Sequence, residues 1–282
     1  MIEHNYIVHG KSRLHYVHAG GGKEAMLFFH GFGQDHSVYL PLIQSLTPQY
    51  DLYIFDLYFH GKSVWGNDEK PVTKNIWKET LDIFLQTKEI TQFSVVGFSM
   101  GGKFALATLE LFPTRVRSCF LIAPDGVKTS FWYNMATYPV MLRKFFKGMI
   151  NDYHRFQRLA VVLNKLKLVD QGLIRFADYQ MGTEQKRKRV YYSWVVFRLL
   201  RFSMKNISAL IRANNIRLTV ITGKYDKVIK PKNMQALLRY VPEADFYILE
   251  AGHSGLIYES LSYLKNKLPG TQVNFKNSLR KQ

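Results

Sequence analysis

The most constraining feature of this sequence is a serine between two glycines, in the segment Gly-Phe-Ser-Met-Gly at residues 97–101. The apolar run at 93–96 predicts a strand before it, and residues 99–112 have the length and pattern of a helix. A strand that turns at once into a helix strains the serine backbone and exposes its hydroxyl, while the flanking glycines remove side chains that would collide. The segment therefore predicts a nucleophile elbow with Ser99 as nucleophile.

Around this segment, short apolar runs alternate with helix-length stretches. The pattern predicts strands at residues 26–29, 52–55, 93–96, 119–122, 218–222 and 246–249, and helices at 37–46, 76–88, 99–112 and 232–240. Residues 6–8 and 14–17 predict a hairpin at the start. Strands that are apolar on both faces and separated by helices indicate an α/β fold with a mostly parallel sheet covered on both sides.

The strand rhythm stops between residues 126 and 216, where only helical patterns follow one another. We therefore expect a core domain formed by residues 1–125 and 217–282, interrupted by a helical cap at 126–216. Pro139 is predicted to begin a helix. One face of that helix would carry Met141, Leu142, Phe145, Phe146 and Met149 and the other Arg143, Lys144 and Lys147, and the apolar pattern repeats at Phe156, Leu159, Leu163 and Leu166.

A serine nucleophile needs a base and an acid that orients the base. Asp226 directly follows one predicted strand, and His253 follows the next, so both belong to loops at the carboxyl edge of the sheet. The chain order Ser99, Asp226, His253 is the order expected for this kind of triad. Asp125, which follows an earlier strand, remains an alternative acid.

The tetrahedral intermediate of acyl transfer also needs donors for its oxyanion. The backbone amides of Phe32, in the loop His-Gly-Phe-Gly at residues 30–33, and of Met100, at a helix amino terminus, are the candidates. His30 is expected to organise this loop rather than to act as a base. His30, Gly31, Phe98 and Val228 are expected to contribute to the substrate pocket.

These motifs together resemble the α/β-hydrolase superfamily over nearly the whole chain. The segments that carry the resemblance are HGFG at 30–33, DLYFHGKS at 56–63, GFSMGG at 97–102, APDG at 123–126, GKYDKVIKP at 223–231 and AGH at 251–253. The resemblance implies the same triad and a cap over the site. One departure is Phe59, which stands where the family commonly has glycine. A serine at position 99 argues against the relatives that use an aspartate nucleophile.

The preferred hypothesis is a serine hydrolase that cleaves a carboxylic ester or thioester with an apolar moiety through an acyl-enzyme and without a cofactor. One alternative keeps the triad for carbon-carbon bond hydrolysis or for a lyase reaction, both of which capped members of the family catalyse. The other alternative is a ligand-binding, receptor-like protein on a hydrolase scaffold. The sequence leaves these alternatives, and the oligomeric state, open.

Charge is concentrated in the cap. The chain has a formal net charge of +18, and residues 127–214 contain 17 Lys and Arg but only 4 Asp and Glu. Three explanations compete: a solvated basic face, peripheral attachment to an anionic membrane, and nucleic-acid binding. The last is the least supported, because the basic run at 186–189 has no recognition motif with it.

Cysteine and histidine usage narrows the remaining choices. The only cysteine, Cys119, lies in an apolar run and is expected to be buried and inert, and the histidines show no metal-ligand spacing, so no metal site is predicted. The first twenty residues lack the apolar run of a signal peptide, and residues 190–200 are too short to span a bilayer. We expect a cytoplasmic or membrane-peripheral location.

Overall fold

The central element is an eight-stranded sheet. The computed structural model describes residues 2–129, 131–166, 168–169 and 171–267, so residues 268–282 of the predicted core domain lie outside the described part. The strands are β1 Ile2–His9, β2 Ser12–Ala19, β3 Glu24–Phe29, β4 Tyr50–Phe55, β5 Phe93–Phe98, β6 Val116–Ile122, β7 Arg217–Gly223 and β8 Asp245–Leu249. The predicted strands are all present and are longer by one to four residues at one or both ends.

The strand order in the sheet is β1-β2-β4-β3-β5-β6-β7-β8. β1 and β2 form the predicted antiparallel hairpin, and β2 also pairs antiparallel with β4, whereas every other neighbouring pair is parallel. The predicted mostly parallel sheet is thus confirmed. Because parallel strands end at the same edge, the loops after β3, β4, β5, β6, β7 and β8 lie there.

Helices cover both faces of this sheet. They are α1 Ile43–Leu46, α2 Lys74–Thr87, α3 Gly101–Leu111, α4 Phe131–Thr137, α5 Val140–Asn151, α6 Tyr153–Lys165, α7 Gln171–Met181, α8 Glu184–Val196, α9 Met204–Ala213, α10 Gln235–Leu238 and α11 His253–Lys267. Two predicted helices, at 37–46 and 232–240, are instead 3-10 turns, His36–Leu42 and Pro231–Met234, each followed by a single α-helical turn. Pro41 lies inside the first and has no amide for an α-helical hydrogen bond.

The core has two layers, one on each face of the sheet. Trp77 of α2 and Phe104 of α3 pack on one face, and Tyr39 and Leu256 pack on the other. The indole of Trp77 also donates a hydrogen bond to the hydroxyl of Thr108 (3.1 Å), which joins α2 to α3. Cys119 is fully buried in β6, as expected, and burial raises the pKa of its thiol.

The part of the chain between β6 and β7 forms helices and, among its described residues, no strand. α5 begins after Pro139, as predicted, and buries Phe146 and Met149, but Met141 on the predicted apolar face is 79% exposed. α6 contains no buried residue. Most of the predicted apolar residues of α5 and α6 line an open cavity and do not form a solid core.

α9, which falls within the predicted cap, packs on the layer of helices beside the sheet. α9 packs against α3, and its Ile207 and Ile211 belong to the core layer that contains Trp77. None of the described helices combines the length and the apolarity that crossing a bilayer requires.

Candidate active site

Ser99 lies at the sharp turn between β5 and α3. Its φ is +50°, a left-handed conformation that is unfavourable for a residue with a side chain. A Cβ atom at Gly97 would lie 2.6 Å from the carbonyl oxygen of Gly101, and one at Gly101 would lie 2.0 Å from that of Phe29. Both glycines therefore allow the close approach of main chains that the sequence predicted, and the turn presents the Ser99 hydroxyl to the cavity.

The structure brings Ser99, His253 and Asp226 together from three different loops. The Ser99 Oγ atom lies 3.0 Å from Nε2 of His253, and Nδ1 of His253 lies 2.7 Å from Oδ2 of Asp226. Asp226 is buried, and its other oxygen accepts the backbone amides of Val228 and Ile229, each at 2.8 Å. These two hydrogen bonds fix the orientation of the carboxylate. The carboxylate in turn orients the imidazole for proton transfer from the hydroxyl.

Asp125, the alternative acid, contacts a different partner. Its Oδ2 lies 3.0 Å from Nζ of Lys103, and its Oδ1 accepts the amide of Gly126. Burial of Lys103 lowers the pKa of its amine, but the charge and hydrogen bond of Asp125, together with Tyr133, outweigh burial and the net pKa is raised, so Lys103 remains a cation. The carboxylate at the His253 ring is thus that of Asp226.

The buried Lys103 was not identified from sequence. It lies four residues after Ser99, one turn along α3, and its ammonium also stands 3.9 Å from the ring centre of Tyr133. Residues four positions apart lie on the same face of a helix. This spacing from Ser99 could have identified Lys103 in the sequence as a residue near the nucleophile.

The amides of Phe32 and Met100 are available as donors. Within the described ranges, neither donates a hydrogen bond to the protein, and both residues line the cavity beside Ser99 and His253. The loop that carries Phe32 is held in place by His60, whose Nε2 accepts the Gly33 amide at 3.0 Å. Burial holds the pKa of His60 well below its usual range, so the ring is neutral and can accept this bond.

A cavity of about 820 Å³ opens beside Ser99. Its described lining includes Phe32, Met100 and Val228 but not His30, Gly31 or Phe98, which corrects the sequence expectation for these three. The His30 ring is fully buried, where Nε2 accepts the Leu57 amide and Nδ1 donates to the Gly31 carbonyl, so it organises the loop. Phe98 stacks on the His253 ring with a centroid distance of 5.3 Å, behind the cavity wall.

Phe59, the departure from the family pattern, adopts φ +68°. A glycine has no steric penalty there, whereas a bulky residue is strained. Its ring stacks on Tyr192 of α8 (centroid distance 5.7 Å) and contacts Phe197. The strained residue thereby joins the loop after β4 to α8.

A second cluster of titratable side chains surrounds Asp56. Donor atoms of His15, His36 and Asp56 lie within 4.8 Å of one another, a grouping that sequence spacing did not reveal and that could hold a metal ion. Both carboxylate oxygens already accept hydrogen bonds, from the His15 ring (2.7 Å), the His36 ring (2.9 Å) and the amides of His36 and Lys62. Burial alone would raise the pKa of Asp56, but these bonds hold it well below its usual range. The cluster anchors the loop after β4.

The fold and the site geometry define a class of protein, and comparison with known sequences agrees. A model of the α/β hydrolase fold family matches residues 24–260, and the chain belongs to that family. The chain is 22% identical to a pimeloyl-[acyl-carrier protein] methyl ester esterase of Legionella pneumophila, over 79% of this chain and 84% of the esterase.

Two other similarities differ in extent. The chain is 29% identical, over 57% of its length, to the dihydrolipoyllysine-residue acetyltransferase component of the acetoin cleaving system of Cupriavidus necator, and the match spans 47% of that protein. A thermophilic esterase from Thermogutta terrifontis has a similar solved structure, with a TM-score of 0.66, 16% identity and coverage of 94% of this chain and 98% of the esterase. At that identity the likeness concerns the fold.

Proposed function

We propose that this protein is a serine hydrolase that cleaves a carboxylic ester or thioester with an apolar moiety through an acyl-enzyme intermediate. The observation that carries the proposal is the continuous contact from the Ser99 hydroxyl through His253 to Asp226. The similarity to a methyl ester esterase supports ester cleavage as the reaction type.

Each residue has a definite role in the proposed reaction. Ser99 Oγ attacks the carbonyl carbon while Nε2 of His253 takes the hydroxyl proton, and Asp226 accepts the Nδ1 hydrogen and stabilises the imidazolium. The amides of Phe32 and Met100 donate to the oxyanion. His253 then protonates the leaving alcohol or thiol, and a water molecule activated by the same imidazole hydrolyses the acyl-enzyme.

The cavity supports an apolar acyl group. The side chains that α5, α6 and α7 contribute to its described lining are apolar apart from one glutamine, and they are Leu142, Phe145, Phe146, Met149, Phe156, Leu159, Ala160, Leu163, Ile174, Ala177, Gln180 and Met181. Burying an acyl chain against this surface contributes roughly 0.8 kcal/mol for each methylene. A chain of several methylenes is therefore the expected acyl portion.

Reaction with a fluorophosphonate probe tests the proposal without knowledge of the substrate. We expect one covalent adduct per chain, on Ser99, because only a serine activated by a base reacts rapidly. Peptide mapping by mass spectrometry locates the adduct. The matched control is Ser254→Ala, which removes an exposed serine next to His253 and is expected to leave labelling unchanged. Labelling that persists in Ser99→Ala would refute the assignment.

We also propose that the cap contacts anionic membranes in a peripheral manner. Large apolar side chains of α5, of α6 and of the residue that follows α6 face solvent, and they include Met141 (79% exposed), Val161, Val162 and Leu166. Exposed cations lie on the same two helices, among them Lys144, Arg158 and Lys165. This combination suits an acidic lipid surface, where apolar residues insert and cations meet headgroups.

Vesicle flotation tests this contact. We expect binding to vesicles of anionic phosphatidylglycerol and little binding to phosphatidylcholine, because each cation near an acidic surface contributes about 1 kcal/mol. Serine substitution of Met141, Val161, Val162 and Leu166 should reduce binding by roughly tenfold or more. The control is serine substitution of Val8 and Tyr258, which are exposed apolar residues outside the helical segment 126–216. This substitution should have no effect on binding. Equal binding to both lipids would contradict the proposal.

A further inference from the structure

The charged residues of the catalytic cavity are unevenly distributed. Its described lining contains four lysines, Lys103, Lys128, Lys227 and Lys230, and Asp125 as its acid. Asp125 is already paired with Lys103. The other three lysines therefore add unpaired positive charge to a cavity whose lining from α5, α6 and α7 contains no charged side chain.

A smaller recess of about 390 Å³ adjoins this cavity. It is lined by Lys128, Lys232, Asn233, Gln235, Ala236 and Arg239, which we call the cationic recess. Lys128 and Asn233 also line the catalytic cavity, so the two spaces share a wall. The recess thus lies next to the site on the side of α10, and no residue of α5–α7 is in its lining.

The cations of the recess have no acidic partner among the described residues. Lys128, Lys232 and Arg239 are exposed, and none of the ion pairs between described side chains involves them or the neighbouring Lys227 and Lys230. Like charges that are held together without a counter-charge repel one another, and an anion placed among them relieves this repulsion. The side-chain amides of Asn233 and Gln235 can add hydrogen bonds to its oxygens.

We propose that the substrate carries a phosphate group on its alcohol or thiol side, and that this phosphate binds in the cationic recess while the acyl chain lies in the apolar cavity. The proposal rests on the proposed function and names its substrate class. The lining that α5, α6 and α7 contribute has no cation to receive an anion at the acyl end, which assigns the charge to the other side of the scissile bond. Hydrolysis then yields a free carboxylic acid and a phosphate-bearing alcohol or thiol.

Three substrates with the same acyl group test the proposal: 1-decanoylglycerol, 1-decanoyl lysophosphatidic acid and decanoyl-coenzyme A. We expect kcat/KM for at least one phosphate-bearing substrate to exceed that for the neutral ester by roughly tenfold or more, and the preference to shrink as salt rises. The two charged substrates separate a lipid phosphate from the phosphates of a nucleotide-type thioester. Equal kcat/KM values for all three would overturn the proposal.

The double variant Lys232→Gln, Arg239→Gln removes the two cations that line the recess but not the catalytic cavity. It is expected to reduce the preference for the charged substrate severalfold through a higher KM, with kcat/KM for 1-decanoylglycerol unchanged. The matched control is Lys205→Gln, Arg217→Gln, which removes the same charge from exposed positions without an ion pair elsewhere and should keep the preference. A preference that is undiminished in the recess variant, or is equally reduced in the control, would refute the recess as the phosphate site.

Binding of decyl phosphate separates this proposal from the proposed function, because the molecule has no acyl carbonyl. Calorimetry with Ser99→Ala should detect its binding, and the added recess substitutions should weaken that binding by roughly tenfold or more. Binding without turnover of any ester would leave the recess supported and the hydrolase proposal refuted. Binding that the recess substitutions do not change would refute the recess.

Discussion

Replacement of Ser99 with alanine is expected to lower kcat/KM toward a simple decanoyl ester by a factor of about 10⁴ to 10⁶. The substitution removes the hydroxyl that contacts His253, which is the proposed nucleophile, while the amides of Phe32 and Met100 remain to polarise the carbonyl. The measurement is steady-state kinetics with the purified variant. Because the Ser99 side chain faces the cavity, the thermal unfolding midpoint should stay the same or rise.

The triad also predicts strong non-additivity. His253→Ala alone should cost nearly as much activity as Ser99→Ala, and the double variant should be no worse than either single variant, because the two side chains act as one unit. An Asp125→Asn variant serves as the comparison for Asp226→Asn. Only the Asp226 substitution should disturb the imidazole directly, since Asp125 contacts Lys103 instead. Full activity of Ser99→Ala would refute the assignment of Ser99 as the nucleophile.

Replacement of Gly101 with alanine is the second change with a large expected effect. The new methyl group would stand 2.0 Å from the carbonyl oxygen of Phe29 and 2.8 Å from that of His30. Both are main-chain atoms, so the overlap can be relieved only by moving the elbow away from β3. We expect a loss of about 2–4 kcal/mol in the free energy of unfolding, and a loss of activity of roughly 100-fold or more because the oxyanion donors separate.

Gly255→Ala is the matched control for this experiment. Gly255 lies in α11 close to His253, but a Cβ atom there would meet nothing within 4 Å. Alanine is the better helix former by roughly 1 kcal/mol, so this variant should be neutral or slightly more stable and fully active. Chemical denaturation and ester kinetics measure both variants. Wild-type stability and activity in Gly101→Ala would show that close main-chain contact at the elbow is not required.

The two proposals about charge give the basic cap and its surroundings different roles. Exposed residues of α5 and α6 would hold the protein at an acidic surface, whereas the cationic recess would select the substrate. The lysines of the recess are separate from the residues substituted in the vesicle experiment, so each role can be lost without the other. If both hold, the protein would meet its amphiphilic substrate at the surface where that substrate resides.

Several features could not be predicted from the sequence, because they depend on contacts between distant segments. The helix expected at 37–46 is mostly a 3-10 turn, since Pro41 interrupts the hydrogen bonds. The apolar pattern correctly predicted that α5 and α6 are amphipathic helices. It did not predict that their apolar faces line a cavity, because periodicity shows which face is apolar but not whether that face borders a packed core or an open space. The resemblance identified Phe59 as a residue in place of a common glycine, but the sequence did not show that its ring stacks on Tyr192 of α8.

The sequence by itself determined the mostly parallel sheet, the elbow at Ser99 and the order of the candidate acid and base, because these follow from local periodicity and from loops that parallel strands must bring to one edge. Only the tertiary structure decided that Asp226 contacts His253 while Asp125 pairs with Lys103. It also decided that Lys128, after β6, lies beside Lys232 and Arg239, after β7. These residues are about a hundred positions apart, and they meet because β6 and β7 are neighbouring strands across a long helical insertion.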